Sequence, residues 1–400
     1  MRYYKLLICV IGLSILSGCA NIQRSKTVER AEPAELCVPI DIKISSGSVV
    51  SSKPMVLHSL RDGLKIPMQL SGTCNADDSF ASALVPKSRL DNDKFKIETS
   101  KERPPIDCRL HWEDDGEATL SLYEEERLVF DYHYGVVSAP EGVPTHRDRS
   151  SYFHPLMGLD GQTYTADFPG DHFHHRGLFF GWPGIFVDGK RHDMWHMLGI
   201  RTIFERVLYK EIGPVFALIT IENGWYIKDQ KVMDEIMELK VWNSGKVGQT
   251  MDIRYTWKPL TEIKIGPKDY KGYGGLNFRF QEREGTVITN IDGPQKTSNQ
   301  VKSPWADLSG RFEGKPYMSG AAIMNKPDNL AANPGWILRA SDDFGVIGVA
   351  WPGNDTFTFK PGKRYSNHYR LWLHRGDVQS GCVEDIFDSY ANSKTVTIEK

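Results

Sequence analysis

Cysteine is scarce in this 400-residue chain, with six in all. Cys9 and Cys19 fall at the N-terminus, and none of the other four (Cys37, Cys74, Cys108 and Cys382) lies in a C-x-x-C spacing. That argues against a zinc ribbon or a thioredoxin-type site. Past the N-terminus no stretch is apolar enough to span a bilayer. Charge of one sign is not in excess either, since 49 Lys and Arg stand against 51 Asp and Glu, a formal net of −2. A nucleic-acid binder carries a basic patch or stripe, and this chain shows no such footprint, so no nucleic-acid partner is expected. There is no G-x-S-x-G nucleophile elbow, which argues against a serine hydrolase. The Gly-Gly pair in "KDYKGYGGLNFRF" (268–280) is not a phosphate loop, because no G-K-[ST] follows it. No repeat of propeller or solenoid length is present.

What is there begins with "MRYYKLLICVIGLSILSGC". Arg2 and Lys5 open it, an apolar run follows from Leu6 to Leu16, and the run is shaped like a secretory signal. Leu16-Ser17-Gly18-Cys19 resembles a bacterial lipobox, which implies a signal peptide over 1–18 and lipidation at Cys19. Residues 19–37 are polar and aperiodic, as a flexible tether would be. The expected place is therefore the cell envelope, periplasmic or outer-membrane, with the lipid as the only membrane partner. Ala20 lacks the Asp that commonly retains lipoproteins inside, which leans outward. In that oxidising space Cys37, Cys74, Cys108 and Cys382 allow two disulfides, with three pairings open.

The body reads as strands. Short runs rich in Val, Ile, Tyr, Phe and Trp alternate with polar residues and stop at Gly, Pro, Asn or Asp. "VFALITIENGWYI" (215–227) and "VIGVAWPG" (346–353) are examples. In "VMDEIMELKVWNSG" (232–245), Met233, Glu235, Met237, Leu239 and Val241 keep a period of two, so a strand is expected where composition suggests a helix. Only "CVEDIFDSYANS" (382–393) has helical spacing. These patterns predict an all-β fold with a large β-sandwich over 118–400, preceded by a smaller β-rich, sandwich-like domain over 38–117.

The chemistry concentrates in "DHFHHRG" (171–177). In an extended segment His172 and His174 would face one way, and Asp171, Phe173 and His175 the other. Two imidazoles at i and i+2 can chelate a metal, with His196, or else His192 or Asp193, of "KRHDMWHM" (190–197) as a third ligand, so the spacing permits a divalent metal without being diagnostic of one. Without metal the same residues suit acid–base work. His172, His174 or His175 would pass protons, Asp171 or Asp193 would orient them or act directly, and Arg176 would hold a substrate oxyanion or carboxylate. Phe179, Phe180, Trp182 and Trp195 offer flat faces on which a sugar ring can stack. Lys271 and Tyr273, Trp305 and Asp307, and Arg370 lie in stretches of similar character and extend the substrate-binding set. The bland alternative is an Asp171–Arg176 salt bridge with histidines bonded to nearby carbonyls.

Together these stretches resemble a bacterial family, DUF6807, often labelled "methane oxygenase PmoA". Its pattern is matched by Arg149, Ser150, Tyr152, His154 and Pro155, then Asp167-Phe168-Pro169, then Asp171 to Leu178. The match continues through "KGYGGL" (271–276), "PWADLSG" (304–310) and "YRLWLHRGD" (369–377). Tyr152 and His154 join the candidate site through this resemblance. Two departures stand out: Phe173 replaces the family's Pro, and Asn325 stands where a His is common. The oxygenase label does not suit a chain without several spanning helices. The resemblance implies a secreted protein of sugar-handling, supersandwich-like fold. The expected function is an enzyme hydrolysing or isomerising a small-molecule or oligosaccharide substrate. A glycan-binding lipoprotein without catalysis and a metal-dependent oxidoreductase are the alternatives.

Overall fold

A computed structural model describes residues 35–44, 54–71, 79–90, 92–99, 108–268, 271–393 and 396–398. The signal, Cys19, most of the tether and Cys74 lie outside the described residues. The chain from Pro33 onward forms one unit built almost wholly of antiparallel sheet.

Two nine-stranded sheets carry the body. The front sheet runs in the order Ser298–Lys302, Gly335–Ala340, Gly345–Ala350, Gly275–Phe280, Leu178–Gly181, Tyr152–Leu156, Arg127–His133, Thr119–Glu124 and Leu110–Asp114. The middle sheet runs from Arg201–Ile212 through Phe216–Ile227, Gln230–Trp242, Gly248–Pro259, Tyr365–Arg375, Ser319–Asn325, Trp305–Phe312 and Arg283–Asn290 to Gly293–Gln295. Their facing sides make the main core, with Phe130, Phe153, Leu178 and Phe278 against Ile219, Met237, Leu239 and Leu371. The expected period of two over 232–245 is the reason: alternate residues of strand Gln230–Trp242 point into that core.

The middle sheet is buried on its other side too. There Trp305, Ala322, Met324 and Trp372 pack against Val38, Ile40, Leu57 and Phe95 of a six-stranded N-terminal sheet, and against Val383, Ile386 and Tyr390 of the helix Val383–Ala391. Neighbours therefore split between cores: Leu371 and Leu373 face front, and Trp372 faces back. That double burial is why "SGAAIMN" (319–325) is buried at every position. The last strand, Thr397–Ile398, pairs in parallel with Lys94–Thr99 and so returns the C-terminus to the N-terminal sheet. A four-stranded sheet, Lys190–His192, Ile185–Val187, Ile263–Ile265 and Phe357–Phe359, accompanies the sandwich. Among the described residues no helix is long and apolar enough to cross a membrane.

Among the described residues, two of the four cysteines that the sequence allows to pair stay unpaired. Cys37 and Cys382 carry free thiols, and burial pushes the Cys37 thiol up to about 12. Cys37 opens the first strand.

Candidate functional site

The site lies on the side of the front sheet turned away from the main core. Along Leu178–Gly181, Leu178 and Phe180 point into the core, while Phe179 packs on the opposite side with Tyr152 and Trp195. Arg279 alternates in the same way with the core residues Phe278 and Phe280. The "DHFHHRG" loop is stitched across this surface by three backbone bonds: Ala166 N–H to Arg279 O (3.1 Å), Gly177 N–H to Ala166 O (2.8 Å) and Arg279 N–H to Gly177 O (2.9 Å).

Residues 169–175 are turns, not the extended segment expected. His172 N–H donates to Pro169 O (2.9 Å) and His175 N–H to His172 O (2.9 Å). Side chains therefore do not alternate, and all three histidines meet. The rings of His172 and His175 stack at 4.9 Å, and His174 meets His175 edge-on at 4.6 Å. Gly177 closes the loop at φ +57, where an added Cβ would sit 2.0 Å from Phe153 O, so glycine is required there.

A second loop, 193–200, brings His196 to 4.4 Å from the His174 ring. Asp193, only 2% exposed, holds His196 in place. The His196 backbone N–H donates to Asp193 Oδ1 (2.8 Å), and its Nδ1 lies 3.0 Å from Oδ2. A carboxylate on Nδ1 fixes the proton there and leaves Nε2 as the basic nitrogen. A second dyad faces it, with His172 Nδ1 2.9 Å from Asp171 Oδ2. Arg279 clamps Asp171 with a two-pronged contact, Nη1 to Oδ2 at 3.1 Å and Nη2 to Oδ1 at 3.0 Å. Half-buried Phe344 stacks on His172 at 4.7 Å, and Tyr273 meets Trp195 at 4.8 Å.

Charge is arranged unevenly. Burial drives His174 down to about 2, helped by His196 and Arg147 nearby. His175 is held well below its usual range by burial and by His174 and His172. Both are neutral at physiological pH. Burial pushes the Asp193 carboxyl up, but hydrogen bonds from His196 outweigh it and the net shift is downward. Asp171 is likewise lowered, with His172 and Arg279 overcoming burial. Because the unfolded chain binds protons near pH 6.5 that folded His174 and His175 refuse, stability is full above that value and falls as pH drops below it. Each histidine adds at most about 1.4 kcal/mol per pH unit. Urea midpoints at pH 7.5 and 5.0 check this: a His174→Asn/His175→Asn variant is expected to show the flatter dependence, and an unchanged slope would refute the burial account.

Several sequence candidates act elsewhere. Arg176 is fully buried and is taken up by Asp167, by the Tyr152 hydroxyl and by the Arg147 carbonyl, with Phe168 and Tyr152 covering its faces. It clamps the loop and has no free fork for substrate, and its salt bridge is made to Asp167 in place of Asp171. His154 bonds Thr165 Oγ1 (3.0 Å) beside it. Trp182 is a core residue donating to Trp351 O (2.6 Å). Trp305 belongs to the back core. Asp307 is buried with His374 Nε2 at 2.7 Å, and Arg370 pairs with Asp252 at 2.7 Å, both within the middle sheet. Asn325 spends its amide on the carbonyls of Lys326, Ala331 and Ala332. Tyr273 does border the site through Trp195, whereas the carbonyl of Lys271 accepts from Gln300. Phe173, in place of proline, is 39% exposed. His172, His174 and His196 come together but not as a ligand set. Among the described residues no group of three or more His, Cys, Asp and Glu is arranged to hold a metal ion, and two of the three imidazoles are already bound to carboxylates.

A family model described as a family of unknown function, DUF6807, matches residues 119–388. The chain belongs to that family. The matched stretch contains every residue of the histidine cluster of this DUF6807 protein. No curated protein matches it in sequence. Among solved structures it is similar to a variant of the GH36 alpha-galactosidase AgaA from Geobacillus stearothermophilus, at 10% identity and a TM-score of 0.36, over 67% of this chain and 41% of that one. A galactose mutarotase related enzyme from Lactobacillus acidophilus is similar at 9% identity and a TM-score of 0.34, over 66% and 97%. A heparan sulfate lyase mutant from Pedobacter heparinus is similar at 9% and 0.34, over 70% and 38%. The DUF6807 chain thus spans about two fifths of the length of the galactosidase. At such scores these likenesses carry no functional weight.

Proposed function

We propose that this protein is an envelope enzyme that isomerises a sugar by proton transfer, anchored by a lipid on Cys19. The observation that carries the reaction type is the Asp193–His196 dyad beside neutral His174. His196 Nε2, with Nδ1 tied to Asp193, is placed to take a proton. His174, neutral and 4.4 Å away, can donate a hydrogen bond to the oxygen on which charge develops. His172, supported by Asp171 and Arg279 and with its ring 5.5 Å from that of His174, would supply the returning proton. Tyr273 and exposed Phe173 offer aromatic surface on which a pyranose ring would lie, while Phe344 is stacked on His172 and lies under the Arg279 guanidinium.

Hydrolysis by a carboxylate pair fits less well. A glycosidase acid needs a raised pKa, yet Asp171 and Asp193 are both lowered and both committed to cationic partners. The envelope setting rests on the sequence over 16–19 and on the polar tether. The test is a panel of reducing sugars incubated with full-length protein in deuterated water and read by NMR. Isomer formation or solvent deuterium in a C–H bond supports the reading. Saturable binding with neither result makes the protein a glycan-binding lipoprotein instead.

A further inference from the structure

Beside the histidine cluster the chain carries more positive charge than its carboxylates can neutralise. Asp167 is taken by Arg176, Asp171 by Arg279, and Asp193 by His196 and Arg191. Arg147 and Arg149 are left without a carboxylate: Arg147 Nη1 donates to His196 O (2.8 Å), and Arg149 Nη2 donates to Phe180 O (2.6 Å) while its guanidinium lies 4.5 Å over the Phe179 ring. Arg149 is buried, its Nη1 has no hydrogen-bond partner, and its pKa is lowered to about 9 by burial and by neighbouring Arg176.

Residues 145–150, which hold these arginines, and residues 197–202, which directly follow His196, wall an open cleft of about 420 Å³, lined by Arg149 but not by Arg147 or His196. That is the size of a site for one or two sugar units. Arg149, Arg201, Lys228 and His146 line it, and Asp148 is its only carboxylate. Asp148 is itself engaged, accepting from Ala139 N–H (2.8 Å). Arg201 and Lys228 are exposed, and neither makes an ion pair among the described residues. The ring of half-buried Tyr226, whose hydroxyl is taken by Glu205, and exposed Val136 add apolar surface. The chain as a whole is slightly acidic, so this local excess of cations is not a reflection of bulk charge.

We infer that this cleft is a subsite for a sugar unit bearing an anionic group, a carboxylate or a sulfate ester, next to the proton-transfer site. The identity of the ligand as a sugar rests on the function proposed above. The preference for an anion rests on the cleft alone. Arg201 and Lys228 would make the direct contacts, and buried Arg149 would contribute field from the cleft wall, screened little by solvent.

Affinity electrophoresis of the full-length protein through gels containing polygalacturonate, dextran sulfate or unmodified dextran tests it. Retardation is expected in at least one acidic gel and not in dextran, and the gel that retards names the group. Arg201→Ala/Lys228→Ala is expected to weaken that retardation at least fivefold, whereas Lys296→Ala/Lys302→Ala, which removes equal charge elsewhere, leaves it intact. Absence of retardation in both acidic gels would overturn the subsite, as would equal loss in the two variants. Deuterium exchange on a neutral sugar with no acidic preference would sink the subsite and leave the proposed reaction standing. An acidic preference without exchange on any sugar would do the reverse.

Discussion

His196→Gln is expected to lower turnover of the responsive sugar by about 10²–10⁴-fold, the usual contribution of a positioned acid–base group. The substitution keeps a side chain of similar reach but removes the nitrogen that accepts the proton. Asp193→Asn should fall in the same range with its fold intact, because an amide no longer fixes the proton on Nδ1 and the basic nitrogen can turn away. KM should move little in both, since neither group is placed to bind the ring. Asp171→Asn acts through His172 and is expected to cost less. Steady-state kinetics on the four proteins decides the matter. If His196→Gln and Asp193→Asn both kept more than half of wild-type turnover, the dyad would not be the base.

The second large effect concerns stability. Asp167→Ala leaves the Arg176 guanidinium charged, fully buried and stripped of its carboxylate. Breaking one side of a buried pair costs about 3–5 kcal/mol, because the remaining charge is uncompensated. Asp167→Ala/Arg176→Met removes the charge as well and should recover part of that loss. Urea unfolding of both variants measures it. A loss under about 1 kcal/mol for Asp167→Ala would mean that the Tyr152 hydroxyl and the Arg147 carbonyl satisfy Arg176 on their own.

Legibility from sequence followed the range of the interactions involved. Period-two alternation over 232–245 and helical spacing over 382–393 are local, and both elements form where expected. The histidine loop announced itself by composition. Its geometry was misjudged although Pro169-Gly170 is a turn signal sitting just before it. Arg279 and Phe344 sit in stretches that the sequence does mark, but nothing local singles them out, because a strand and a turn more than a hundred residues away bring them to the cluster. Conversely Trp305, Asp307 and Arg370 share the polar-aromatic character of a site yet serve the middle sheet. Composition cannot tell a half-exposed aromatic that could meet a ligand from one closing a core.

The middle sheet has cores on both of its sides, and this bears on how the protein can be cut. The stretch 119–388 includes the whole histidine cluster but omits the N-terminal sheet and the strand that returns to it. Trimmed to those limits, the polypeptide would present to water the parts of Trp305, Ala322, Met324 and Trp372 that Val38, Ile40, Leu57 and Phe95 now cover. Self-association, not loss of chemistry, would be the first consequence of such shortening, and an inactive fragment would say nothing about the histidines.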